Sequence, residues 1–371
     1  MLVNCIVILI ILLIGLHYKN KYKNNFNSNF VKKRFIFSVS FILILQSGLR
    51  NVAVGTDTYT YFEYFQETSG MSWDQVFFRF IEVYKFGIGK DPGYTLFEKL
   101  VSLFSTNYQV FLFIIAILFF SALGNFLYNN SKTLSNLVLS YIIYSVLFYA
   151  FFSITGHRQT IATAFCLFSF EFLKKRKFFK FLILVLLGSI IHKSCLIFIP
   201  FYFLSYINNI KKTFWIIVLL FPFLTVVSSF VSKYIFSIIN LYEEYGHNED
   251  LKPTTFVFLI LSIAILSLIK YDKIIKINPD SKYSYTGLMM GTVFLSLVFE
   301  IHGYMRIVQY FSLFILIIIP LIASAYKSYS KKIGKLAYDL IIVVLILLYV
   351  RSNWNTVPYG FFWQKMELSK D

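Results

Sequence analysis

Residues 106–128 read TNYQVFLFIIAILFFSALGNFLY, a run without a charged side chain. At about 1.5 Å per residue, a helix of this length covers the roughly 30 Å hydrocarbon core of a bilayer. Comparable runs recur along the whole chain. Together they predict an all-α, polytopic integral membrane protein with about twelve transmembrane helices. The expected spans are 2–18, 34–49, 106–128, 135–154, 158–173, 178–192, 194–207, 213–232, 254–270, 283–300, 304–325 and 336–351. The pair 178–192 and 194–207 is short, and a re-entrant pair bent at His192-Lys193 would preserve the same sidedness. The first run has no small-residue cleavage site and reads as a retained helix.

Composition agrees with that class. Of 371 residues, 58% are hydrophobic and 20% aromatic, a balance at which a soluble domain would aggregate. A formal charge of +17 would suit a nucleic-acid binder, but the basic residues lie in short loops between apolar runs. That placement reads as topology, so no nucleic-acid partner is expected. Basic clusters follow the first, fifth, seventh, ninth and eleventh spans, as in Lys174, Lys175, Arg176 and Lys177. All fall on one side, which the positive-inside rule makes cytoplasmic, leaving both termini outside. The outer side then carries a large loop at 50–105, a second loop at 233–253 and a C-terminal tail at 352–371. In the large loop Trp73, Val76, Phe77, Phe80, Ile81 and Tyr84 recur at helical spacing, which predicts a helix lying in the membrane interface. Cys5, Cys166 and Cys195 all lie in apolar segments and show neither metal spacing nor a disulfide framework.

The residues that can carry chemistry gather on the outer side. Gly156-His157-Arg158-Gln159 falls where one span ends and the next begins. A cation in the first turn of a helix opposes the helix dipole by a few tenths to about 1 kcal/mol, and the outer side disfavours arginine again. Arg158 therefore calls for an anion; a phosphate suits both a guanidinium and the free N–H groups of a helix start. Arg50, Arg306 and Arg351 lie close to other outer span ends, so four arginines share one height and can ring a pocket. Singly, each also fits an interfacial anchor. Thr56 or Asp57 can cap the aromatic helix at 59–65, and Asp57 can serve as a general base. His157, His192, Glu300 and His302 are the other titratable candidates, with Gln159 beside them. Glu300-x-His302 lacks diagnostic ligand spacing, so neither a metal nor a cofactor is expected. Asp91-Pro92-Gly93-Tyr94 reads as a turn before the third span.

Six stretches form an ordered set: RNVAVGTD at 50–57 with Thr58 and Tyr61; Asp91-Pro92-Gly93-Tyr94; Arg158-Gln159-x-Ile161-Ala162; Ile191-His192-Lys193-Ser194; Arg306-x-x-x-Tyr310-Phe311; and Val357-Pro358-Tyr359. In this set the chain resembles the Wzy-type polysaccharide polymerases, in particular the EpsG-like branch of bacterial exopolysaccharide and O-antigen proteins. It departs at Asp91, where the family usually has glutamate, so no catalytic role is assigned there. The resemblance implies a GT-C-like glycosyltransferase that polymerises undecaprenyl-pyrophosphate-linked repeat units at the periplasmic face of the bacterial inner membrane. It also implies Tyr310 in the pocket and a separate chain-length regulator as a candidate partner. Arg158, Arg306, Arg50 and, least directly, Arg351 would hold the diphosphate. Asp57, ahead of His192 and Glu300, would take the proton. Three readings compete. An O-antigen ligase would use the same donor and outer arginines. A lipid-linked oligosaccharide flippase should carry deep charges and internal repeats. A membrane acyltransferase would need a cytoplasmic catalytic constellation, and the lysine-rich loops offer no histidine beyond His17.

Overall fold

The computed structural model describes residues 2–22, 28–55, 57–238, 253–300, 303–328, 330–352 and 358–366. Among these residues the chain is all helical, with seventeen α-helices and no strand. It divides into two compact units, Met1–Leu196 with Leu340–Asp371, and Ile197–Asp339.

The first unit holds α1 (Leu2–Lys21), α2 (Ser28–Gly48), α3 (Thr58–Gly70), α4 (Trp73–Lys85), α5 (Pro92–Ser102), α6 (Tyr108–Asn130), α7 (Leu134–Leu147), α8 (His157–Lys174) and α9 (Phe178–Ile191). Its central helix is α6. Asn107 caps it by accepting the Gln109 N–H at 2.8 Å. Beyond that cap α6 is apolar on every side, as a helix covered by protein or lipid is; it packs against α2, α3, α7 and α8. At the start of α6, Phe65, Tyr94, Tyr108, Phe111, Ile161 and Ile191 form one buried cluster. Each such side chain is worth about 1.5–3 kcal/mol of burial, so this cluster fixes α3, α5, α8 and α9 around one point.

The second unit holds α10 (Phe198–Leu204), α11 (Ile210–Ile238), α12 (Thr254–Ile269), α13 (Tyr271–Ile277), α14 (Ser281–Leu295), α15 (Tyr304–Ser312) and α16 (Ile315–Lys327); α17 (Lys331–Ser352) begins in it and ends in the first. There α14 is the shared neighbour of α10, α11, α12, α15 and α16.

The chain is a multi-pass membrane protein. Four helical stretches are long and apolar enough to cross a bilayer: Leu2–Lys21, Tyr108–Asn130, Ile210–Ser228 and Lys331–Arg351. Two bent pairs, α12 with α13 at 77° and α15 with α16 at 45°, bring the number to six. Other expected spans fall on shorter apolar helices, as at Leu134–Leu147 and Phe178–Ile191. The difference from a count of apolar runs has a plain cause. Several breaks are themselves apolar: α7 gives way to a π-helix at Ala150–Thr155, and α15 passes to α16 through Leu313 and Phe314. In α2 the reverse holds, because Lys32, Lys33 and Arg34 lie inside the helix.

The large loop expected at 50–105 holds three helices, α3, α4 and α5. In α4, Ser72 Oγ accepts the Gln75 N–H and Gln75 Oε1 accepts the Ser72 N–H, a reciprocal cap. The helix buries Val76 and Val83 and exposes Trp73, Phe77, Phe78 and Ile81. Helix α11 runs to Ile238, so its end covers the start of the loop expected at 233–253; residues 239–252 lie outside the described residues. Part of the expected tail is docked. The Asn51 N–H donates to Gly360 O at 2.8 Å and the Phe362 N–H to Leu49 O at 2.9 Å. The Tyr359 hydroxyl donates to Gln46 O. Cys166 and Cys195, far apart in sequence, bring their buried Sγ atoms to 3.1 Å.

Candidate functional site

The π-helix at Ala150–Thr155 widens the backbone one turn before α8, and Gly156 closes it. Such bulges are costly and concentrate at functional sites. Here it delivers two neighbouring residues to different surroundings, His157 inward and Arg158 toward α3 and α5.

Arg158 finds its anion inside the chain. Its Nη1 lies 3.6 Å from Asp91 Oδ2. The same oxygen accepts His192 Nδ1–H at 2.9 Å, and Asp91 Oδ1 accepts the Lys193 N–H at 3.4 Å. Asp91 thus joins the start of α8 to the end of α9. Its side chain is 6% exposed. Burial alone would raise its pKa, but the His192 hydrogen bond and charge, Arg158 and the Lys193 amide together hold it below 3.8. Asp91 is therefore an acceptor-only carboxylate. His192 must carry its proton on Nδ1, which leaves Nε2 as the atom free to take one when the ring is neutral.

The backbone at Asp91 is strained, with φ 53° and ψ 55°, in the left-handed region and directly before a proline. The motif explains how it is held. Pro92 starts α5 at a position where no N–H is needed. Gly93 lets α5 lie on α9 so closely that a Cβ would stand 2.5 Å from Ile190 O. Tyr94 is buried in the aromatic cluster. The sequence read this tetrapeptide as a turn only; the structure makes it the hub.

Arg158 is 20% exposed in its side chain and lies over aromatic rings, 5.1 Å from the centre of Tyr94, 5.8 Å from Tyr61 and 6.0 Å from Tyr64. Its Nε has no hydrogen-bond partner among the described residues.

Arg50 is differently placed. It is 1% exposed. Nη1 donates to Ser47 O at 2.8 Å, and Nη2 donates to Ile154 O at 3.0 Å and to His157 Nε2 at 2.6 Å. A guanidinium only donates, so that histidine nitrogen is an unprotonated acceptor. His157 also stacks on Tyr61 at 4.4 Å. Arg50 and His157 thus clamp α2 to the π-helix.

The remaining candidates are spread. Asp57 is exposed at the start of α3 and its side chain makes no capping bond. Gln159 is buried in α8. Arg351 is exposed near the end of α17. In the second unit Glu300 is exposed, Arg306 is half-buried in α15 and Tyr310 is fully buried. Thr56 and His302 lie outside the described residues.

No curated protein and no solved structure matches the chain significantly. A family model matches residues 33–364, a stretch that includes Arg50, Asp91, Arg158 and His192: the chain belongs to the EpsG family.

Proposed function

We propose that this chain is a glycosyltransferase that polymerises a surface polysaccharide from undecaprenyl-pyrophosphate-linked repeat units. The Asp91–Arg158–His192 cluster in an EpsG-family chain carries this reading. In the proposed reaction a sugar hydroxyl of one unit attacks the anomeric carbon of another. The bond from that carbon to the diphosphate oxygen breaks, and undecaprenyl pyrophosphate leaves with the bonding pair. The hydroxyl proton passes to His192 Nε2, since Asp91 fixes the other ring nitrogen as the donor. Arg158 meets the charge that grows on the departing diphosphate. A diphosphate is a good leaving group, so the arginine is the larger contributor and the base the smaller. Arg50 holds the scaffold on which Arg158 stands. We place the site at the periplasmic face of the inner membrane, in a GT-C-like arrangement of about twelve spans, where charge sidedness puts the arginines. A chain-length regulator is a proposed partner.

The test is a gel profile of surface polysaccharide from the native host, comparing wild type, a deletion and Arg158→Ala at matched protein level. Deletion and variant should both leave a lipid A core bearing a single repeat unit. A deletion that removes every repeat unit would make the protein a flippase or a ligase and overturn the reading.

A further inference from the structure

A second set of groups, not used in that reaction scheme, lines a cavity of about 180 Å³ between α3, α4 and α5, with Arg158 in its wall. Glu98 is the unusual member. It is buried, yet no basic side chain forms an ion pair with it among the described residues. Its Oε2 accepts the Thr68 hydroxyl at 3.2 Å, while Oε1 has no hydrogen-bond partner. The neighbouring Tyr94 hydroxyl is buried beside it and pulls against the effect of burial on the Glu98 carboxyl. Glu98 Oε1 and Arg158 Nε, buried polar atoms of two residues in the wall of one cavity, lack a close hydrogen-bond partner among the described residues. Leaving each unsatisfied costs about 1–3 kcal/mol, so the arrangement favours a ligand that supplies several hydroxyl groups.

We propose that this cavity is a subsite for a sugar ring of the lipid-linked repeat unit, in which Glu98 acts as a carboxylic acid that donates from Oε1 to a sugar oxygen. The proposal rests on the polymerase reading and adds to it where a sugar ring is held. Tyr64, 46% exposed, offers aromatic surface to the C–H face of a pyranose, and the Arg158 guanidinium offers further hydrogen bonds. Because Thr68 donates to Oε2, the acid proton belongs on Oε1, the unpaired atom. Burial pushes the Glu98 pKa up to about 8, against the opposing pull of Thr68, Arg158 and Tyr94, so at neutral pH it is mostly a neutral donor. The titratable and charged groups facing it are Glu67 and Tyr64 from α3, Arg79 from α4, Tyr94 from its own helix, Lys90 before it, Tyr108 from α6 and Arg158 from α8. Helix α9, which also packs on α5, contributes none to the cavity. The donor is present below about pH 8 and is lost as pH rises through that value, when a buried negative charge replaces it.

The experiment uses the full chain in liposomes, with the lipid-linked repeat unit extracted from a deletion host as the probe, and follows polymer formation. Glu98→Ala should raise the half-saturating concentration about tenfold with turnover little changed. Glu98→Gln keeps an N–H donor; it should lose about threefold at pH 7 and then hold that level to pH 9, where wild type falls steeply. An unchanged half-saturating concentration in Glu98→Ala, or the same alkaline fall in Glu98→Gln as in wild type, overturns the subsite. If Glu98→Ala does not accumulate, the pH profile of Glu98→Gln decides alone. If the wild type forms no polymer, the polymerase reading fails separately. Thermal stabilisation of wild type by the same probe, and its loss in Glu98→Gln at pH 7, then still reads the subsite, and equal stabilisation of both overturns it.

Discussion

Arg50 and Arg158 look alike in sequence, both at an outer span end, yet the structure gives them opposite surroundings. Arg50 spends its guanidinium on two backbone carbonyls and a neutral histidine, and is sealed from solvent. Arg158 faces a carboxylate on one side and a cavity on the other, with one nitrogen unpaired. Partner chemistry, not residue type, separates a clamp from a site. Carbonyl partners fix a backbone, whereas a carboxylate that also orients a histidine builds a reactive centre.

Substitution should break the two apart. Arg158→Ala is expected to cost at least about a thousandfold in polymer formation while leaving the amount of folded protein near wild type. Arg158→Lys keeps the charge without the planar fork and should recover only a small part. Chain length close to normal in the lysine variant would remove Arg158 from diphosphate binding. Arg50→Ala should do the opposite. It strands His157 and the buried Ser47 carbonyl and leaves Ile154 O to the Thr58 hydroxyl, a loss of about 3 kcal/mol in stability. The expected readout is a lower melting temperature and less protein in the membrane, with activity per folded molecule largely kept. Equal activity loss at unchanged stability would erase the distinction.

Asp91→Asn sharpens the reactive side. The shape is preserved, but the charge that fixes His192 and offsets Arg158 is gone, and turnover should fall about 10–100-fold. The stability that Asp91 contributes in the wild type runs the other way from Glu98. Its folded pKa is depressed, so that contribution is complete above 3.8 and is lost as pH falls through the lower folded value. A melting-temperature profile of wild type against Asp91→Asn between pH 7 and pH 3 should converge toward the acid end.

Part of this was legible from residue order alone. Length and apolarity give the membrane class and α6, and helical spacing at 73–85 gives α4. The arginine at the start of α8 was seen to need an anion, on dipole and sidedness grounds. Which anion was not legible, because Asp91 is distant in sequence and reaches Arg158 only when α5 lies on α9. Glu98 left a fainter mark, a lone acid in the apolar stretch TLFEKLVSLF, one turn after Tyr94. Asp57 stood out because it lies in a motif, but the structure leaves it exposed at the start of α3. Apolar breaks such as the π-helix are invisible to a hydropathy count, since their residues are as apolar as the helices they interrupt.

The smallest expected effect tests how tightly the hub depends on its packing. At Gly93 an added Cβ would meet Ile190 O at 2.5 Å and Ile190 Cγ2 at 2.2 Å, so backbone must move. At Gly70, the end of α3, an added Cβ meets nothing within 4 Å. Gly93→Ala should therefore cost about 1–2 kcal/mol, as overpacking does, by lifting the start of α5 from α9. That shift acts on the strained residue two positions earlier and lengthens the 2.9 Å contact between Asp91 and His192. Activity should drop a few-fold, because a less well-held carboxylate orients the imidazole less well. Gly70→Ala should leave both quantities within experimental scatter. If the two glycine variants behave alike, the contact between α5 and α9 does not set the Asp91–His192 geometry, and the left-handed conformation at Asp91 must be maintained by its hydrogen bonds instead.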